Sequence, residues 1–182
     1  MPAAAAVALL VALALLWTSI GPFYTKIIAW VARPVSSPNV ALTPEGVDLW
    51  LKYRGASGTP GLGMGVQGLM MQSGPLLVTS LLLATGAFPW RRRLVYVLLS
   101  WIVFAVLHSA AVALWSWAVA WTAEGTPFPS TLFTLVIPLI FAGLPALVAA
   151  AWCLRYWFAE ALSSAEAQPA VPLGANPRKK VK

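Results

Sequence analysis

The sequence contains one histidine and one cysteine, His108 and Cys153, and each lies in a long apolar run. A histidine in such a run could carry a proton or bind a metal, and a cysteine could act as a thiol nucleophile. No second histidine or cysteine and no carboxylate stands at ligand spacing beside His108, so the sequence predicts no metal site. We therefore expect a neutral His108 that is hydrogen-bonded across a helix interface.

Cys153 and Arg155 raise the alternative of a thiol membrane peptidase, because cysteine, arginine and histidine form the residue set of membrane-embedded sorting transpeptidases. In those enzymes the cysteine precedes the arginine and the histidine, and the three lie on separate helices. Here Cys153 follows His108, and Arg155 points to another side of the same helix as Cys153. The sequence therefore favours a buried, apolar role for Cys153, and it predicts no catalytic residue and no cofactor.

Gln72 and Ser109 are polar residues of the apolar runs that could accompany His108 in an intramembrane polar site. A small transporter or channel subunit would use such groups to line a path, and this remains an alternative function. The five acidic residues offer no spacing that favours an acid/base pair over solvated turns and loops.

The composition is that of a membrane protein. Of the 182 residues, 60% are hydrophobic and only 9% are charged, whereas soluble domains are about half apolar and a quarter charged. The net charge of +7 comes from basic residues at the ends of apolar runs rather than on an aromatic face. We therefore expect the lipid bilayer, and not nucleic acid, to be the partner of this charge.

Four apolar runs predict an all-α membrane protein with four transmembrane helices, a short periplasmic interfacial helix and a small β-hairpin. The predicted spans are residues 3–20, 69–88, 94–121 and 131–158. The first run could also be a signal peptide, but it has no preceding Lys or Arg and no small-x-small cleavage site, which favours an uncleaved span.

The predicted periplasmic insert, residues 21–68, contains the aromatic residues that we expect to bind a partner. Gly21 and Pro22 should end the first span, and Phe23–Ala32 should form an amphipathic helix in the outer interface. Residues 39–42 should pair with 47–53 as a hairpin, and the glycine-rich residues 55–68 should form an irregular linker. The predicted partner-binding aromatic residues are Phe23, Trp30, Trp50 and Tyr53.

Arg91, Arg92 and Arg93 are the main topology determinants, because three adjacent arginines between two spans favour the cytoplasmic headgroup layer. With this orientation eight basic residues are cytoplasmic and four are periplasmic. The sequence thus predicts a multi-pass protein of the bacterial inner membrane with both termini in the cytoplasm. Residues 1–162 should form one integral membrane domain, and 163–182 a disordered basic tail.

The order of these features resembles the exosortase H-associated family of small bacterial membrane proteins. The resemblance covers roughly residues 10–115. It rests on the Val-Ala-Arg-Pro-Val string at 31–35, the string from Gly74 to Gly86, the Trp-Arg-Arg-Arg-Leu string at 90–94, and a following span that bears His108. It implies a non-catalytic accessory or scaffold protein that assists an envelope protein-sorting complex, with a sorting enzyme or another subunit as its partner and no catalytic residue to transfer.

Overall fold

The computed structural model describes residues 2–54, 60–86, 88–125 and 139–158, and these ranges are mostly helical. The helices are α1 (Pro2–Ala32), α2 (Gly68–Ala84), α3 (Trp90–Ala123) and α4 (Leu144–Cys153). A 3-10 turn (Arg33–Val35) follows α1, and π-helical turns (Leu139–Gly143 and Leu154–Phe158) flank α4. The strands are β1 (Val40–Glu45), β2 (Asp48–Arg54) and β3 (Pro60–Val66).

Three helical segments are long and apolar enough to cross a membrane: Ala4–Val35, Trp90–Ala123 and Leu139–Tyr156. Helix α2 is also apolar but has only 17 residues. The described part of the chain is therefore a mostly helical, multi-pass type of protein with a small sheet.

Helix α1 is continuous, so the predicted end at Gly21 and the predicted separate helix Phe23–Ala32 are wrong. Pro22 removes one backbone donor from the helix, at a cost of about 3 kcal/mol. Trp17, Tyr24 and Ile28 on one face of α1 are buried, and many van der Waals contacts of these large side chains with the rest of the bundle stabilise the continuous helix. Burial of this face, which continues through the proline, therefore outweighs the lost hydrogen bond.

Helices α1 and α3 run in the same direction. The rings of Trp17 and Trp101 are 5.4 Å apart, and further along both helices Tyr24 Oη lies 2.8 Å from His108 Nδ1. Because the two contacts occur in the same order along both helices, the helices are parallel.

Helices α2 and α4 run in the opposite direction to α3. The direction of α2 follows from the hydrogen bonds of Arg93 Nη1 to Leu83 O (2.9 Å) and of Trp101 Nε1 to Thr79 Oγ1 (2.8 Å). The direction of α4 follows from Pro145, which lies next to Gly74, and from Trp152 Nε1, which donates to Thr85 Oγ1 at 2.9 Å. The four helices therefore alternate in direction along the chain.

The three strands form an antiparallel sheet of order β1-β2-β3. The predicted hairpin is confirmed, with pairs from Val40–Tyr53 to Glu45–Asp48. The predicted irregular linker is wrong for residues 60–66, which form β3, while residues 55–59 lie outside the described ranges. Gly65 pairs with Trp50, and a Cβ on Gly65 would stand 3.3 Å from the indole ring. The glycine thus lets the indole cover the strand.

The turn between β1 and β2 is inserted between α1 and α2. Thr25 Oγ1 donates to Val47 O at 2.9 Å, and the Cα of Gly68 packs against the same carbonyl group. Asp48 Oδ1 accepts a hydrogen bond of 2.7 Å from the Gly68 N–H and so caps α2. We call this end of the bundle the sheet end, and the opposite end, which bears Arg91, the arginine end.

The connection between α2 and α3 differs from the prediction, because the three arginines form part of the first turn of α3. Arg93 donates to Leu83 O in the last turn of α2 and, through Nε at 2.7 Å, to Phe88 O in the connection, so it satisfies one carbonyl group of each. In the predicted last span, residues 131–138 lie outside the described ranges, as does the predicted tail, 163–182.

Candidate functional site

His108 lies at the centre of a polar contact between α1 and α3. Tyr24 Oη and His108 Nδ1 are 2.8 Å apart, and the imidazole is fully buried. The hydrogen bond across a helix interface that the sequence predicts is therefore present. The Phe141 ring lies 4.8 Å from the imidazole and the Phe104 ring 5.8 Å from it, so the contact is enclosed by aromatic rings.

The second ring nitrogen of His108, Nε2, is buried. If Tyr24 donates to Nδ1, the proton of a neutral imidazole is on Nε2; in the other tautomer Nε2 is an acceptor. In either case Nε2 has no hydrogen-bond partner among the described residues. Within the same residues no group of three or more His, Cys, Asp or Glu could hold a metal ion.

Gln72 and Ser109 do not join His108 in one hydrogen-bonded cluster. Gln72 is buried next to Gly68 at the beginning of α2, and its Nε2 has no hydrogen-bond partner in the described ranges. Ser109 Oγ makes only a long contact of 3.4 Å to Ile28 O. The predicted intramembrane polar site is thus divided into separate contacts.

Cys153 is far from His108. The imidazole contacts Phe141, which precedes Cys153 by twelve residues, or about 18 Å along a helix at about 1.5 Å per residue. Cys153 is half-buried and packs among the apolar residues of α1, α2 and α4 at the arginine end. Arg155 lies over the Tyr156 ring at 5.8 Å. The three residues of a thiol peptidase are therefore not brought together.

The acidic residues of the described ranges make structural contacts. Asp48 caps α2, and Glu45 forms an ion pair with Lys52, with 2.7 Å between Oε1 and Nζ. Glu124 accepts a hydrogen bond of 3.2 Å from Asn39 Nδ2 and so connects the end of α3 to the start of β1. None of these contacts pairs two carboxylates.

The predicted partner-binding aromatic residues differ in exposure. Phe23 and Trp30 on α1 are 71% and 73% exposed, and Trp50 on β2 is 37% exposed. Tyr53 is half-buried and packs against the core. Phe23 and Trp30 are thus the most accessible residues of the predicted surface, and we call these two residues the aromatic surface.

Tyr24 and Asp48 make contacts at His108 and at the beginning of α2 that the sequence did not single out. Tyr24 follows Trp17 by seven residues and precedes Ile28 by four, a helical spacing that could have placed it on the buried face of α1. Asp48 carries no local signal, because its partner Gly68 is twenty residues away in the chain.

Comparisons with family models, with curated protein sequences and with solved structures find no match to this chain.

Proposed function

We propose that this protein is a non-catalytic accessory subunit of the bacterial inner membrane, with four spans and both termini in the cytoplasm. Its sheet end faces the periplasm and binds a larger membrane protein. The alternating directions of the four helices support this arrangement, since they place Arg91, Arg92 and Arg93 at the end opposite the sheet. The resemblance to exosortase-associated proteins suggests an envelope protein-sorting enzyme as the partner.

The length of α2 supports its assignment as a span. Seventeen residues extend about 26 Å, close to the ~30 Å of the hydrocarbon layer and within the lengths of transmembrane helices. Its first residue, Gly68, is level with Thr25 of α1, because both contact Val47. The outer boundary of the hydrocarbon is then near Thr25, and the rest of α1 continues beyond it by about 10 Å.

The aromatic surface is the observation that carries the proposal. Phe23 is near the inferred boundary and Trp30 is beyond it, yet both side chains are more than two-thirds exposed. Large aromatic side chains in this position anchor a helix in the headgroup layer or fill a pocket of a partner. We assign them to the partner, and the headgroup layer is the competing outcome of the test.

Purification in mild detergent tests the proposal. The intact protein should carry a membrane-protein partner with it, and Phe23→Ala with Trp30→Ala should reduce the recovered partner at least five-fold. The matched control is Leu15→Ala, because Leu15 is 71% exposed on the same helix but lies within the inferred hydrocarbon layer. Recovery of the protein alone, or equal loss in the control, would contradict the accessory role.

A transporter or channel subunit is the second candidate, and the free Nε2 of His108 is the observation that favours it. A buried polar nitrogen without a hydrogen-bond partner costs free energy, and polar groups that are retained inside a helix bundle at such a cost mark solute or ion pathways. Flux of a small solute into proteoliposomes that disappears in His108→Phe, while the helix content is unchanged, would support this candidate. Absence of flux in the unmodified protein would favour the accessory role.

A further inference from the structure

A groove of about 410 Å³ runs along β1 at the sheet end. It is lined by residues 40–43 of β1, by residues 36–38 before the strand, and by Arg33 and Arg54. In the described part of the chain β1 pairs only with β2, so its other side is the edge of the sheet.

The groove follows the backbone edge of β1 rather than a face of the sheet. Side chains alternate between the faces of a strand, so a groove on one face would be lined by every second residue. Here four consecutive residues line it. The aromatic surface contributes no residue to the groove, which is therefore a separate feature.

The register shows which backbone groups face the groove. Arg54 N donates to Asn39 O at 2.8 Å, so these two residues form a hydrogen-bonded pair of the antiparallel ladder. Such pairs alternate along the ladder, and Val40 and Leu42 therefore direct their amide and carbonyl groups away from β2. The Val40 N–H is bonded to Ser37 O at 3.1 Å. The Val40 carbonyl and both backbone groups of Leu42 remain to pair with an added strand.

The charge of the groove is positive. Arg33 and Arg54 are exposed, and the ion pair that the structure describes joins Lys52 to Glu45 instead. Within the described ranges no carboxylate lies within 4.0 Å of either arginine. A ligand of this groove should thus combine a strand-like backbone with at least one carboxylate.

We propose that the β1 edge binds an extended acidic peptide, which adds a fourth strand to the sheet and places a carboxylate between Arg33 and Arg54. Residues 40–43 offer about 13 Å of edge, enough for roughly four residues of extended chain. The backbone nitrogen of Pro44 also faces this edge, but proline has no N–H to donate, so strand addition ends there. The inference does not depend on the accessory role, because it concerns different residues and a different ligand.

The experiment uses the full-length protein in a non-ionic detergent. The probe is a fluorescein-labelled hexapeptide of alternating threonine and valine that ends in two glutamates, and the readout is fluorescence anisotropy. A second probe has the same sequence with N-methyl groups on alternate backbone nitrogens. It keeps the charge but cannot pair as a strand.

We expect the first probe to bind and the N-methylated probe to bind at least ten-fold more weakly. The double variant Arg33→Gln with Arg54→Gln should weaken binding of the first probe at least ten-fold. The matched control is Lys26→Gln with Lys52→Gln, which removes the same charge at the sheet end from residues that do not line the groove. This control should bind the probe normally.

Three results would overturn the proposal. The first is no binding of the unmethylated probe. The second is equal binding of the two probes, which would indicate attraction by charge alone. The third is a groove that binds short-chain phosphatidylglycerol through Arg33 and Arg54 but does not bind the peptide, which would make it a lipid headgroup site. Circular dichroism and thermal unfolding of each variant verify that the fold is retained.

Discussion

The contact between Tyr24 and His108 should stabilise the helix bundle in a way that a double-mutant cycle can measure. Tyr24→Phe removes one hydrogen bond and leaves both ring nitrogens of His108 without a described partner. A net hydrogen bond contributes about 1 kcal/mol, and an orphaned buried group costs about 1–3 kcal/mol. Between membrane helices the coupling averages about 0.6 kcal/mol, with a maximum near 1.7 kcal/mol. We therefore expect a coupling of about 1 kcal/mol.

His108→Phe provides the other side of the cycle, because it keeps an aromatic ring against Phe141 and removes both nitrogens. Tyr24→Phe with His108→Phe should cost about 1 kcal/mol less than the sum of the single variants. The measurement is reversible unfolding of the purified protein in mixed micelles of mild detergent and dodecyl sulfate, followed by circular dichroism. Additive single costs, within about 0.3 kcal/mol, would refute the view that this contact stabilises α1 against α3.

Three further variants test how the ends of the bundle are held, each by the same unfolding assay. Gly68→Ala should destabilise the fold by about 1–3 kcal/mol, because the new Cβ would meet the carbonyl of the β1–β2 turn. Its control is Gly63→Ala, which should cost less than 1 kcal/mol because the space around Gly63 is open. Equal costs of the two variants would contradict the inserted turn. Asp48→Ala should lower the free energy of unfolding by about 1 kcal/mol, and Asp48→Asn should lower it less, because alanine has no side-chain oxygen to accept the Gly68 N–H whereas asparagine keeps one. An equal loss in both variants would mean that the cap is not the stabilising contact. Arg93→Gln should lower the free energy of unfolding by about 1 kcal/mol, because Arg93 loses its hydrogen bonds to two carbonyl groups. Arg91 is exposed, and Arg91→Gln should change the free energy of unfolding by less than 0.5 kcal/mol. The reverse order would disprove the role given to Arg93.

The helices and the hairpin could be predicted because their signals are local. Apolar runs longer than the hydrocarbon layer indicate helices, and alternation from Val47 to Tyr53 after a proline-glycine turn indicates a hairpin. The error at Pro22 came from treating the proline as a breaker without following the helical face across it. Trp17, Tyr24 and Ile28 keep their spacing through Pro22, and packing of that face decides the structure.

The third strand could not be predicted because its stability comes from a neighbour. Gly63 and Gly65 have poor strand propensity, and nothing in residues 60–66 alone favours pairing. The strand forms because β2 offers an edge and because Trp50 packs over Gly65. The candidate site shows the same limit, since His108 was identified as a polar residue but its partner Tyr24 lies 84 residues away.

The position of the β1–β2 turn between α1 and α2 also bears on how the protein is made. The turn lies between these helices in the chain as well as in space, so it can form against α1 before α2 has left the ribosome. Removal of the β1–β2 hairpin would therefore deprive α2 of the turn against which Gly68 packs and of the carboxylate at its first residue. The sheet is consequently a part of the helical scaffold, and docking of the beginning of α2 depends on prior formation of the β1–β2 hairpin.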